Sequence, residues 1–135
     1  MTTERRGKYP KEEHLKSKKA IDYLFKEGDL IKAFPIRMVY KYVERSSPKE
    51  SIKAGVSVSK RKFKKAVDRN RVKRLMREAL RYQKTLFQDS WEEKDKTLQV
   101  FFIYVSNEML SVQKLDKAFA KCFKKLHFSK EEQTE

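Results

Sequence analysis

The chain has one cysteine, Cys122, among its 135 residues, so no disulfide can form within it. That economy suits a reducing compartment, and a cytoplasmic location is expected. Glycine and proline occur only three times each, and no glycine run resembles a loop that cradles phosphate. The two histidines, His14 and His127, stand in no recognisable motif. No Cys/His spacing suits zinc, and no acidic cluster suits a two-metal nuclease. Apolar runs stay far short of the ~20 residues of a membrane span. The stretch "MTTERRGKYPKEEHLKSKK" has charge without an apolar core, so it does not read as a secretory signal.

Negative charge is also in short supply. Lys and Arg total 34 against 19 Asp and Glu, a net of +15. An excess of that size repels itself and attracts polyanions, nucleic acid before anionic membrane. With 39% apolar residues the length supports a single hydrophobic core. One domain over 1–135 is therefore expected, with a core at about 12–127 and flexible tails at 1–11 and 128–135.

Ser17 can cap a helix that puts Ala20, Ile21, Leu24 and Phe25 on one stripe, with Gly28 as its stop. Alternation predicts a strand over 36–43, with Tyr40 and Tyr42 on one face. A second strand over 52–59 turns Ile52, Ala54, Val56 and Val58 one way and the small polar set Lys53, Gly55, Ser57 and Ser59 the other. A helix is predicted over 62–82, then a loop or frayed end over 83–97. A buried strand over 98–105 and a helix opened by Ser111 follow, the latter with Cys122 on its apolar stripe, a core position. Together these make an α+β protein, a small sheet with helices packed on it. Trp91 has no assigned role.

The central helix has two faces. Val72, Leu75, Met76, Ala79 and Leu80 share one stripe, while Asn70, Lys73, Arg74, Arg77 and Arg81 share the opposite one. From Lys60 to Arg81 there are eleven Lys or Arg and two acids, Asp68 and Glu78. Solvated helices ordinarily mix Glu with Lys to gain pairs one turn apart, and this one does not. A membrane-surface helix would present bulky apolar groups that are here needed by the core. Nucleic acid is the partner that fits. Arg69, Arg71, Arg74, Arg77 and Arg81 offer forks for phosphate. Lys60 and Arg61 crowd the helix N-terminus, itself attractive to phosphate. Phe25 and Tyr40 are candidates to stack on unpaired bases beside the small polar strand face.

The segment "VSVSKRKFKKAVDRNRVKRLMREALR", residues 56–81, resembles the signature of the bacterial ribonuclease P protein subunit. The resemblance extends through "LKSKKAIDYLFKEG" upstream and to the last helix downstream. It implies an α-β sandwich with a central mixed sheet and a left-handed βαβ crossover, against the usual hand. It also implies a ribonucleoprotein that removes the 5′ leader from precursor tRNA, with Mg²⁺ bound mainly by a catalytic RNA subunit. On that resemblance Arg69, Asn70, Arg71, Lys73, Arg74 and Arg77 face the RNA. Phe25, Tyr40, Ser57 and Ser59 line a leader cleft between the first helix and the sheet. No catalytic residue and no metal ligand is assigned to this chain, and no membrane or obligate protein partner is expected. A non-enzymatic RNA-binding or RNA-chaperone module would use the same basic helix.

Overall fold

A computed structural model of the chain describes residues 14–44, 52–89 and 96–133. The tail expected at 1–11 and Trp91 lie outside the described residues. In chain order the elements are α1 (Lys18–Glu27), β1 (Asp29–Ala33), β2 (Ile36–Glu44), β3 (Ile52–Val58), α2 (Ala66–Asp89), β4 (Lys96–Tyr104) and α3 (Val112–Gln133). Four strands form one mixed sheet in the order β1-β2-β4-β3. β1, β2 and β4 pair antiparallel, while β3 and β4 run parallel with α2 as the crossover between them.

The α+β sandwich is therefore present, with one strand more than the sequence pattern suggested. β1 went unread because it is a short edge strand turning only Ile31 and Ala33 inward. It joins β2 through a turn whose Phe34–Pro35 peptide is cis. The predicted caps hold. The Ser17 hydroxyl accepts from the Ala20 N–H at 3.3 Å, and the Gly28 N–H donates to the Leu24 carbonyl at 2.7 Å. Gly28 is needed for space rather than for handedness. Its φ is −79°, but a Cβ there would lie 2.5 Å from the Leu24 carbonyl oxygen and 2.9 Å from that of Tyr40.

Three helix limits differ from expectation. α2 begins at Ala66, because residues 59–65 turn back on themselves first: the N–H groups of Lys62 and Phe63 both donate to the Ser59 carbonyl. It then continues to Asp89, with Lys84 buried on the way. α3 runs to Gln133, so residues 128–133, expected as a tail, extend a helix.

Alternation along the strands separates two cores. Met38, Tyr40, Ala54, Val100, Phe102 and their alternates face α2 and α3. Phe102 is fully buried there, 4.6 Å from the Phe119 ring and 6.0 Å from the Phe123 ring, centroid to centroid. Truncating such a ring costs about 3–5 kcal/mol. The other face carries a smaller cluster of Leu15, Leu24 and Val39, with Ala20, Ile21, Phe101 and Ile103 packed against it. Leu15 reaches that face because its N–H donates to the Ala54 carbonyl at 2.8 Å, next to an isolated bridge between His14 and Ala54.

Candidate nucleic-acid interface

The first candidate surface is the outer side of α2 and the turn before it. Val72, Met76, Ala79 and Leu80 are buried against the sheet and α3. Helical periodicity then forces Asn70, Arg71 and Arg74 outward, where all three are exposed; Lys73, Arg77 and Arg81 are half-buried along the same side. Lys60 and Arg61 are exposed in the preceding turn. Asp68 supplies an acid in the first turn of α2, where the helix dipole favours it.

Arg69 has a different part from its neighbours. One of its terminal nitrogens donates to the carbonyls of Phe63 at 2.8 Å and Lys64 at 2.9 Å. The guanidinium thus ties the cationic turn to the first turn of α2. The Ser59 hydroxyl accepts from the Arg61 N–H at 3.1 Å, which closes the other end of that turn. Phe63 anchors the middle, with its ring 5.9 Å from that of Tyr104. Lys60, Arg61, Lys64 and Lys65 are presented on this tied frame.

The second candidate surface is the α1 side of the sheet. Phe25 is 45% exposed, and its ring meets Phe101 of β4 at 5.3 Å, edge to face at 67°. Gly55 is the register partner of Phe101 and Ser57 that of Ile103, so this small polar part of β3 lies beside both side chains. A Cβ on Gly55 would fall 2.6 Å from the Phe101 ring, which is why the strand needs no side chain there. Tyr23, 49% exposed, has the Lys41 ammonium 5.8 Å from its ring centre. The result is a half-covered trough with aromatic, small polar and cationic groups, the set that holds unpaired bases and their backbone.

Of the four residues expected to line a cleft, the structure brings Phe25 and Ser57 to this face and moves two. Tyr40 is only 4% exposed and belongs to the core facing α2 and α3, the opposite side of the sheet. Its neighbours Arg37, Val39, Lys41 and Val43 hold the alternate positions on β2. Ser59 stands beyond the end of β3 with its hydroxyl in the turn. Phe101 and Ile103 were missed because β4 reads as a continuous apolar run, which conceals that one of its faces is only partly covered.

Cys122 is fully buried, and burial pushes its thiol up to about 12. It is a core residue with no reactivity at neutral pH. Among the described residues, no group of three or more His, Cys, Asp or Glu side chains could hold a metal ion. No helix among them is long and apolar enough to cross a membrane.

The sequence model of the ribonuclease P family matches residues 9–127. The chain belongs to the ribonuclease P protein family. The ribonuclease P protein component of Porphyromonas gingivalis is 36% identical over 111 residues, covering 82% of this chain and 80% of that one. The Chlorobaculum tepidum component is 34% identical over 89 residues, 64% of this chain and 57% of that one. The ribonuclease P protein from Thermotoga maritima shares the fold with a TM-score of 0.65 at 19% identity, covering 84% of this chain and 96% of that one. The Staphylococcus aureus protein does so with 0.61 at 17%, over 83% and 93%. Membership in the ribonuclease P family makes the chain a tRNA-processing subunit of a ribonucleoprotein.

Proposed function

We propose that the chain docks the catalytic RNA of ribonuclease P on the outer side of α2 and holds the 5′ leader of precursor tRNA in the trough between α1 and the sheet. The observation that supports this is the separation of the two surfaces. Cations without an apolar stripe lie outside α2, and aromatics with small polar groups lie across the sheet. Exposed phosphate contacts lend affinity and salt dependence, while stacking on Phe25 and Phe101 suits an unpaired strand.

The hydrolytic step belongs to the RNA, whose phosphates bind Mg²⁺. The protein neutralises charge so that two polyanions come together, and it works in the cytoplasm with its RNA subunit and precursor tRNA as partners. Reconstitution tests this reading. The protein alone should cleave nothing; with the cognate RNA and Mg²⁺ it should restore 5′ maturation at lower Mg²⁺ than the RNA alone requires. Binding to many RNAs with no such gain would instead mark a general RNA-binding or chaperone module.

A further inference from the structure

One end of the sheet gathers three connections. Tyr104, the last residue of β4, is in register with Ile36 of β2 on one side and Val58 of β3 on the other. The Phe34–Pro35 turn, residues 105–111 and the cationic turn at 59–65 therefore lie side by side. Strand spacing puts the outer two about 10 Å apart.

Phe34 is 72% exposed and walls a groove of about 430 Å³. Pro35, Leu110 and Ala118 contribute apolar lining. Lys114, Lys117 and Lys121, exposed on successive turns of α3, form the facing wall, and Glu108 stands at the rim. The walls are fixed. The Tyr104 hydroxyl donates to the Glu108 carbonyl at 2.6 Å and accepts from the Leu110 N–H at 3.0 Å. The Ser106 hydroxyl accepts from the Glu108 N–H at 3.0 Å, and the Val105 N–H donates to the Pro35 carbonyl at 2.8 Å. The Lys125 ammonium donates to the Lys32 carbonyl at 2.9 Å, pinning α3 to β1.

Three lysines on one helix face repel each other unless an anion lies along them. A flat exposed ring across from them supplies the stacking partner that an unpaired base seeks. The cationic turn at 59–65 leaves the same sheet end, which puts this groove near the surface proposed to dock RNA. We propose that the groove binds a single-stranded segment of the RNA subunit, with one base stacked on Phe34 and the adjoining phosphates on Lys114, Lys117 and Lys121. The Glu108 carboxylate keeps phosphate to the α3 side and can accept from base amino groups. The proposal rests on the docking reading above and adds a second contact to it.

The test uses the full chain and the cognate RNA subunit, with affinity measured across a salt series. Phe34→Ala should weaken binding about tenfold with little change in salt slope, since stacking on an aromatic is lost, and Phe34→Trp should retain it. Lys117→Ala with Lys121→Ala should weaken binding and lower the slope by about one to two. A photo-crosslinking benzoylphenylalanine at position 34 should capture one unpaired position of the RNA. Arg71→Ala with Arg74→Ala serves as the reference. If that pair weakens binding while Phe34→Ala and the lysine pair do not, the groove proposal is overturned and the docking reading stands. If none of the variants changes binding, both fall. If Phe34→Ala spares RNA but abolishes capture of a poly-glutamate peptide bearing a leucine anchor, the groove is a peptide site and the proposal is overturned.

Discussion

The Phe25 ring of α1 meets the Phe101 ring of β4 edge-on at 5.3 Å, and this contact ties the first helix to the centre of the sheet. Phe25→Ala should weaken binding of precursor tRNA while leaving mature tRNA nearly unchanged. A stacked base is worth about 1–3 kcal/mol by alanine substitution, so the ratio of the two affinities should fall by about tenfold. Equal loss for both RNAs would remove Phe25 from the leader site.

Gly55→Ala probes the same trough from below. The added methyl would sit 2.6–2.7 Å from atoms of the Phe101 ring and 3.3 Å from the Leu15 carbonyl oxygen. Overpacking of this kind costs about 1–3 kcal/mol, readable as a lower urea midpoint. Because the displaced ring is also Phe25's partner, precursor affinity should drop more than RNA-subunit affinity. Gly55→Ala with Phe101→Leu should recover stability but not precursor selection.

Arg69 and its neighbours should separate in experiment. Arg71→Ala, Arg74→Ala and Arg77→Ala combined should reduce the slope of log affinity against log salt by about two to three, with the melting curve nearly unchanged. Arg69→Ala should mainly loosen residues 59–65, whose Phe63 and Lys64 carbonyls lose their shared donor. Faster amide exchange in that turn is the expected readout. A salt-slope loss for Arg69→Ala as large as for Arg74→Ala would place Arg69 on the phosphates instead.

Cys122 supplies an alkaline signature. Its thiol rises from 9.0 to about 12 on burial, with Lys125 pulling weakly the other way. A group raised in the fold stabilises it fully below the unfolded value, and that contribution is lost as pH rises from about 9 towards 12. The wild type should therefore lose stability over that window more steeply than Cys122→Ala. Thiol reagents should label native protein only on the unfolding timescale.

Much of this was legible in the residues, and what was not has physical causes. Ser17, Gly28 and Ser111 marked helix ends because capping is local chemistry. The two stripes of α2 were readable because its apolar and cationic positions keep strict helical phase. Tyr40 failed because β2 is apolar or long-chained on both faces, so alternation alone did not say which face α1 covers. Arg69 looked like one more phosphate fork, and only the three-dimensional return of the 59–65 turn gives it a backbone partner. β1 has too few inward residues to declare itself.

The sheet that separates the two cores also sets a distance. From its α1 side to the outer side of α2 is about 20 Å, a sheet-packing spacing plus a helix diameter. The Debye length at physiological ionic strength is about 8 Å. Two phosphate backbones held on these opposite sides would scarcely sense each other through solvent. On the proposed docking the fold would act as a spacer as well as a charge neutraliser, keeping catalyst and leader apart except at the point where they must meet.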